Sequence, residues 1–266
     1  MNLDLIRKDF PILETQVNGH QIVYFDNGAT TQRPLPVVNA VVDYVTHQNG
    51  NPHRGAHIFA ISASEAYDTS KEVVRDFIHA RSEKEIIYTR NTTESLNLVS
   101  RSYGETHLKK GDHILITIAE HHSNLVTWQR AAEKTGAVLD YIYIDKETGH
   151  FPEEELKKID DPRVKILAFA QVSNVLGVEF DPKPLIKRAH AHGAVVVLDG
   201  AQSTPHKQID VQDLDCDFFA FSGHKMCSMG GIGVLYAKEE LLDEMEPFLM
   251  GGDMIETVEE QTTTFA

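Results

Sequence analysis

Short apolar runs alternate with segments of helical length through most of this 266-residue chain, and that alternation limits the folds open to it. Six of the runs have strand length and are bounded by polar or turn-forming residues: 85–89, 113–118, 138–144, 165–170, 194–199 and 217–222. Strands this apolar, separated by helices, are typical of a mainly parallel sheet covered on both faces. We therefore predict a three-layer α/β/α fold.

Two helices are predicted ahead of the first of these strands. Segment 34–50 begins with a proline and ends with Asn49 and Gly50, the usual asymmetry between helix start and helix end. Segment 62–80 is predicted as the second helix. No repeat or low-complexity tract interrupts the pattern, and the acidic, threonine-rich end of the chain, 256–266, is the only plausible linker.

The composition is that of a globular protein and disfavours several classes of function. With 25 Lys and Arg against 40 Asp and Glu, the chain has a net charge of −15, which repels nucleic acids and anionic membranes. The N-terminus lacks a continuous apolar core, and no segment approaches the ~18 apolar residues of a membrane span. Two cysteines do not make a disulfide scaffold, which favours a reducing cytoplasm. Together, these observations predict a cytoplasmic protein that binds neither nucleic acid nor membrane.

Lys225 has the most unusual surroundings of any lysine in the chain. It follows the apolar run 217–222 through Gly223 and His224, and the glycine-rich stretch 230–233 comes soon after it. Burial disfavours the ammonium form and favours a neutral amine that attacks carbonyl groups. Most lysines are solvated surface charges, but this setting predicts a covalently bound aldehyde cofactor.

Two other strand ends carry groups that suit such a cofactor. Asp199 follows an apolar strand and is either a turn residue or the partner of a protonated ring nitrogen. Thr92 and Thr93 open the helix predicted after the strand 85–89. They either cap that helix or, together with its backbone N–H groups, bind a phosphate.

Two further strands end at His121 and Asn174. The flat ring of His121 can stack on a planar cofactor, and Ser123 is available as a helix cap. The adjacent His122 also suggests a metal, but no zinc-binding spacing is present, so we expect no metal site. Asn174 either donates a hydrogen bond to a phenolate oxygen or closes a turn.

In their order and spacing, these strand ends resemble the class V aminotransferase group of pyridoxal phosphate (PLP) enzymes. Within that group they are most similar to the Suf-type cysteine desulfurases and the selenocysteine lyases. The matching segments cover nearly the whole chain: HRGAH (53–57), TRNTTESLNLV (89–99), EHHSNLVTWQ (120–129), VSNVLG (172–177), LDGAQ (198–202), IDVQDLDCDFFAFSGHK (209–225) and GIGVLY (231–236).

The resemblance implies the large domain of PLP fold type I, a three-layer structure around a mainly parallel, seven-stranded sheet. On that basis residues 1–20 are expected to form an N-terminal arm and residues 21–250 the PLP-binding domain. Residues 251–266 are then expected to begin the connection to a C-terminal small domain that this chain lacks.

The resemblance also implies which part of PLP each residue would contact. Lys225 would hold the cofactor as a Schiff base and carry the α-proton of the substrate, and His121 would stack on the ring. Asp199 would pair with the ring N–H, while Gln202 and Asn174 would lie near the ring oxygen and the substrate. The phosphate would be bound by Thr92, Thr93, Ser222 and His224.

The implied reaction removes sulfur from L-cysteine to give L-alanine. The sulfur would be held as an enzyme persulfide and passed to a scaffold or carrier protein of iron–sulfur cluster assembly, by an enzyme that is a homodimer. Family members continue past the equivalent of residue 266, and we expect three elements there: the sulfur-accepting cysteine, the arginine that binds the substrate carboxylate, and a phosphate contact from the partner subunit. Selenocysteine lyase, β-elimination and a non-catalytic PLP-binding remnant stay open as alternatives.

One segment and two single positions depart from the family pattern. Segment 227–231 reads CSMGG where the family usually has YGPTG, Asn91 replaces a glycine, and Gly28 replaces an alanine. Cys227 either packs in its loop, traps the cofactor aldehyde or accepts sulfur. Cys216 is expected to be a small buried side chain.

Overall fold

The computed structural model describes residues 2–265 and begins with an arm on the surface of the protein. The arm contains helix α1 (Leu3–Lys8), a 3₁₀ turn (Pro11–Glu14) and a hairpin of strands β1 (Gln16–Val17) and β2 (His20–Gln21). No residue from 2 to 30 is buried. Met1 and Ala266, the outer ends of the predicted arm and connection, lie outside the described residues.

Both helices predicted ahead of the sheet are present. Helix α2 (Leu35–Asp43) continues as a π-helical turn (Tyr44–Gln48) that ends at Asn49, close to the predicted limits. Helix α3 (Ile58–Ile78) begins four residues earlier than predicted, because the His57 side chain accepts a hydrogen bond from the Ala60 N–H and caps the helix. Histidine is not among the preferred capping residues, so the sequence carried no start signal there.

A seven-stranded sheet forms the centre of the protein, as expected. Its spatial order is β3-β9-β8-β7-β6-β4-β5, and β9 runs opposite to the other six strands. Strand β9 directly follows the Lys225 loop, and a connection this short joins antiparallel rather than parallel neighbours. The strands are β3 (Ile86–Thr89), β4 (His113–Thr117), β5 (Val138–Ile142), β6 (Val164–Ala170), β7 (Val195–Asp199), β8 (Phe218–Ser222) and β9 (Gly233–Ala237).

Helices cover both faces of the sheet, which confirms the three-layer fold. One face packs against Ile78 of α3 and against Leu185 and Ile186, and the other against Leu96 and Trp128. The remaining helices are α4 (Thr92–Leu98), which continues as a π-helical turn (Val99–Gly104), α5 (Glu105–His107), α6 (His122–Thr135), α7 (Glu153–Leu156), α8 (Pro182–Ala191), α9 (Val211–Leu214) and α10 (Glu239–Leu242).

The described part of the chain ends in an exposed hairpin. Strands β10 (Ile255–Val258) and β11 (Thr263–Phe265) pair with each other and not with the central sheet. The domain limits at residues 20 and 250 stay predictions. Among residues 2–265, no helix is both long enough and apolar enough to span a bilayer.

A buried ionic cluster joins α8 to the two strands β7 and β8. The carboxylate of Asp217 accepts hydrogen bonds from His190 Nε2 (2.8 Å), Lys238 Nζ (2.8 Å) and the Val196 N–H (2.7 Å). Burial alone would raise the pKa of Asp217, but the hydrogen bonds from His190 and Lys238 outweigh it and hold the pKa below its usual range. The same contact raises the pKa of His190.

Replacing the central carboxylate of this cluster is expected to destabilise the fold. Asp217→Asn removes the buried anion to which His190 and Lys238 both donate, while the more exposed Asp215 still pairs with both of them. We expect a loss of about 1–3 kcal/mol in the free energy of unfolding, measured by urea denaturation at neutral pH. Glu133→Gln breaks an exposed ion pair with Arg130 and serves as the control, with an expected change below about 1 kcal/mol. Equal small losses for both variants would contradict this assignment.

Candidate active site

A cavity of about 600 Å³ lies at the carboxyl ends of the parallel strands. Loops that follow parallel strands meet at this edge of a sheet, which is the usual position for ligands in such folds. All nine residues predicted for the site line this one cavity: Thr92, Thr93, His121, Asn174, Asp199, Gln202, Ser222, His224 and Lys225.

Asp199 supplies a buried carboxylate to the cavity. It is the last residue of β7 and is only 4% exposed. Within residues 2–265, its side chain accepts a single hydrogen bond, from the Ala201 N–H to Oδ1 at 2.9 Å. Burial raises the pKa of Asp199, although Lys225 and His121 oppose the shift. A buried carboxylate with one donor has capacity for a second, such as the N–H of a ligand.

Lys225 supplies an amine that is half-buried in the same cavity. It ends a 3₁₀ turn (Gly223–Lys225) directly after β8. Burial lowers the pKa of Lys225, while the charge of Asp199 acts in the opposite direction. In the described part of the chain, its ammonium group has no hydrogen bond or ion pair. The amine is therefore more readily deprotonated than an ordinary lysine and better able to attack a carbonyl group.

His121 presents an imidazole whose tautomer can be assigned. The ring caps α6, where the Ser123 N–H (3.1 Å) and the Ser123 hydroxyl (2.7 Å) both reach Nδ1. A backbone N–H can only donate, so Nδ1 accepts and the neutral ring carries its hydrogen on Nε2. Burial lowers the pKa of His121, and Lys225 and His122 add to the effect. Ser123 was an available cap in the sequence; in the structure the cap is His121.

Metal binding has no support from the geometry of the described residues. Among residues 2–265, no group of three or more His, Cys, Asp or Glu side chains is arranged to hold an ion.

The start of α4 and the end of β8 form a cluster of hydroxyl groups at one end of the cavity. Ser222 Oγ lies 2.8 Å from Thr92 N, which donates to it, and 2.6 Å from Thr92 Oγ1. Thr93 adds a hydroxyl and a backbone N–H for which the described residues hold no partner. Hydroxyl and N–H donors at a helix start favour an anionic group such as a phosphate.

Two backbone features bring this hydroxyl cluster together. A side chain on Gly233 would lie 2.5 Å from the Asn91 backbone, so glycine alone allows β9 to pass so close to the start of α4. Asn91 has extended backbone, with φ of −179°, and its side chain caps α4 by accepting from the Glu94 N–H at 2.9 Å. Its replacement of the usual glycine is therefore well tolerated.

The N-terminal segment 25–31 completes the cavity, a role that was not predicted from the sequence. Phe25, Asp26, Gly28 and Ala29 line the cavity, and the Gln202 amide donates to the Gly28 carbonyl at 2.8 Å. The polar and small residues of DNGATTQ were the available signal. A methyl group on Gly28 would lie 3.9 Å from Gln202 Nε2, an ordinary contact, so glycine in place of alanine changes little.

The same segment holds the loop that carries Lys225. The hydroxyls of Thr30 and Thr31 donate to the His224 carbonyl at 3.1 and 3.0 Å, and the Cys227 N–H donates to Thr31 Oγ1 at 2.8 Å. The His224 ring lines the cavity and its Nδ1 lies 3.2 Å from Thr30 Oγ1. The position of Lys225 thus depends on contacts with residues almost two hundred positions away in sequence.

Neither cysteine lines the cavity. Cys227 has a left-handed backbone, with φ of 64°, and lines a separate groove beneath the N-terminal arm. Cys216 lies in the core, where burial raises the pKa of its thiol. This placement agrees with the packing roles considered for both residues, and it offers no support for Cys227 as a trap for the cofactor aldehyde.

Comparison with known proteins places the chain in a family. Residues 23–266 match the aminotransferase class-V model, and the chain belongs to that family. It is 49% identical over 97% of its length to a probable cysteine desulfurase of Halalkalibacterium halodurans, of which it covers 63%.

Two solved structures show the same fold. The cysteine desulfurase of Thermococcus onnurineus is 41% identical, with a TM-score of 0.91 over 99% of this chain and 64% of that one. A cysteine desulfurase of Escherichia coli is 39% identical, with a TM-score of 0.89 over 100% of this chain and 65% of that one. The chain therefore spans less than two thirds of the length of each of these proteins.

The charge of Asp199 is expected to act on both titratable partners across the cavity. Asp199→Asn removes a charge that favours the protonated forms, so the pKa of His121 should fall further below its usual value. The measurement is a pH titration of the imidazole signals by NMR, with His121 identified by its absence in His121→Gln. Asp26→Asn removes another carboxylate that lines the cavity and should leave the His121 pKa in place; an unchanged or higher pKa in Asp199→Asn would contradict the assignment.

Proposed function

We propose that this chain is the PLP-binding portion of a cysteine desulfurase, an enzyme that converts L-cysteine to L-alanine and transfers the sulfur to a thiol. The observation that carries the proposal is the enclosure of the Lys225 amine and the Asp199 carboxylate in one cavity with a hydroxyl cluster at its end. The names of its relatives point in the same direction. Because the chain spans only part of those relatives, the activity of the whole protein is part of the proposal.

The groups that line the cavity fit PLP in chemistry and in size. An amine for an aldehyde, a carboxylate for a ring N–H and hydroxyl and N–H donors for a phosphate are the three contacts that PLP requires. The incompletely satisfied carboxylate of Asp199 is the sharpest of these matches. A volume of about 600 Å³ is also within the range of ordinary cofactor pockets.

PLP, when bound, supplies an electron sink for the bonds at the α-carbon of an amino acid. The residues of this chain would divide the remaining work. Asp199 would orient the ring and stabilise positive charge on its nitrogen, and His121 would lie on its face. The phosphate would be held by Thr92, Thr93, Ser222 and His224, and Gln202 and Asn174 would orient the ring oxygen and the substrate.

Lys225 would have two tasks in succession. Its lowered pKa makes the amine available to hold the cofactor, and once substrate replaces it, the free amine can accept a proton at Nζ and return it to product carbon. His121, with its hydrogen on Nε2, would be a second donor at the same cavity.

The sulfur would leave as a persulfide on a separate thiol. In the balanced reaction L-cysteine and a thiol RSH give L-alanine and RSSH, so the thiol is a co-substrate or an enzyme cysteine. Because neither Cys216 nor Cys227 lines the cavity, we place that thiol outside residues 2–265. We further propose that the whole enzyme is a cytoplasmic homodimer and passes the sulfur to a scaffold or carrier protein of iron–sulfur cluster assembly.

PLP attachment should occur at Lys225 and nowhere else in the chain. Purified chain is mixed with PLP, reduced with borohydride and digested, and mass spectrometry then locates the label. Lys225→Arg keeps a positive charge but cannot form the imine, so labelling should disappear. Lys165→Arg, at an exposed lysine on β6, is the matched control and should keep the label on Lys225. Labelling at several lysines, or unchanged labelling in Lys225→Arg, would overturn the assignment.

The substrate is tested separately on the PLP-loaded chain with dithiothreitol as the sulfur acceptor. Because the chain spans less than two thirds of its relatives, we expect slow release of alanine from L-cysteine, and loss of that release in Lys225→Arg. Faster release from L-selenocysteine than from L-cysteine would identify a selenocysteine lyase. Cofactor labelling without any alanine would identify a PLP-binding chain that is not active by itself and would count against turnover by these residues.

A further inference from the structure

Glu120 is a titratable residue that the proposed function does not use and that lies directly behind the cavity. It precedes His121 in the turn between β4 and α6, and it does not line the cavity. Three donors meet its carboxylate: the Thr117 hydroxyl, the Asn124 amide at 2.7 Å and the Ala170 N–H at 3.1 Å.

These contacts link two separate walls of the cavity. Ala170, the last residue of β6, lines the cavity and donates its backbone N–H to Glu120. His121 lines the cavity from another strand end, and its carbonyl accepts from the Asn124 N–H at 2.8 Å. The side chain of Asn124 in turn donates to Glu120. One carboxylate therefore bridges the turn that carries His121 and the end of β6.

The Asn124 amide can take only one orientation in this network. Its Oδ1 accepts from Trp128 Nε1 at 2.8 Å, and its Nδ2 donates to Glu120. The indole N–H is purely a donor, so it fixes Oδ1 of Asn124 as the acceptor and leaves Nδ2 to donate to Glu120. Asn124 and Trp128 are both fully buried, so water cannot replace either contact. The network thus extends from the core of the protein to the cavity wall.

Glu120 also shares an electrostatic environment with Asp199. Although the residue as a whole is only half-buried, burial of its carboxyl group raises the pKa of Glu120 to about 7, and the charge of Asp199 adds to this shift. The hydrogen bonds from Thr117 and Asn124 oppose it and favour the ionised form.

We propose that Glu120 is a positioning residue for the cofactor cavity, which aligns His121 with Ala170 through its hydrogen bonds to Ala170 and Asn124. This inference rests on the proposed function in one respect, because it takes PLP as the ligand of the cavity. The alignment itself is a property of the chain without ligand.

The test compares Glu120→Gln with a matched change elsewhere. Glu120→Gln keeps the size of the side chain but turns one acceptor toward Asn124 into a donor. Glu85→Gln is the control, because Glu85 is also buried and accepts backbone hydrogen bonds, from Arg81 (2.8 Å) and Ser82 (3.3 Å), at the opposite end of β3 from the cavity. Thermal unfolding of both variants allows their effects on stability to be compared.

Two readouts report on the alignment without any turnover. Trp128 is the only tryptophan, so intrinsic fluorescence observes the network directly and also reports PLP binding by quenching. NMR of the His121 imidazole observes the cavity side. In Glu120→Gln we expect altered Trp128 emission, shifted His121 signals and PLP affinity about tenfold weaker, the usual cost of a buried unpaired polar group. In Glu85→Gln, PLP affinity should stay within about twofold of the original chain.

A compensating change tests whether the effect of Glu120→Gln comes from the lost match of donors and acceptors. Asn124→Asp added to Glu120→Gln restores the match of donors and acceptors, because the new carboxylate accepts from both Trp128 and the new amide. Positioning predicts that this double variant recovers most of the lost PLP affinity and the original His121 signals.

The proposal is overturned if Glu120→Gln binds PLP as well as Glu85→Gln with His121 unchanged, or if the double variant recovers nothing. Failure of the original chain to bind PLP would count against the proposed function alone. In that case the Trp128 emission and the His121 signals of the ligand-free variants still decide the positioning role.

Discussion

The common direction of strands β4, β6, β7 and β8 is the constraint on which the site depends. Because these strands are parallel, the residues at or just beyond their carboxyl ends all emerge at one edge of the sheet: His121, Asn174, Asp199 and Lys225. Strand β9 runs antiparallel to both β8 and β3, so β3 runs in the same direction as β8 and brings Thr92 to that edge as well. Five separate parts of the chain thereby meet in one cavity.

Burial in that cavity acts on three titratable groups in a consistent way. It raises the pKa of Asp199 and lowers the pKa values of His121 and Lys225, so each group is moved toward its uncharged form. The attraction of Asp199 to His121 and to Lys225 opposes these shifts, whereas Lys225 adds to the lowering of the His121 pKa, so the charge on one group depends on the charge on the others. The pKa of Glu120, which lies behind the cavity wall, is raised by burial and by the charge of Asp199. The charge of Glu120 is therefore linked to the charges inside the cavity.

The sequence predicted the buried strands well and the peripheral contacts poorly. Apolar, β-branched runs such as 194–199 have few alternatives to a buried strand, and the structure places that strand at Val195–Asp199. Strand β9 lacks this signal because its run is short and begins at a glycine. Segment 25–31 has no periodicity at all, and its position follows from hydrogen bonds to the distant Lys225 loop, which no local pattern can indicate.

The sequence by itself determined the fold class, the family resemblance and the residue types available at each strand end, since these follow from apolar periodicity and local spacing. The tertiary structure alone decided which of those residues share a cavity. Cys227, two residues from Lys225, lines a different groove because its backbone turns left-handed and its N–H is held by Thr31. Glu120, one residue from His121, faces away into a network that ends at Trp128. The positions of Cys227 and Glu120 outside the cavity follow from side-chain direction and long-range hydrogen bonds. Closeness in sequence to Lys225 or His121 does not indicate either of them.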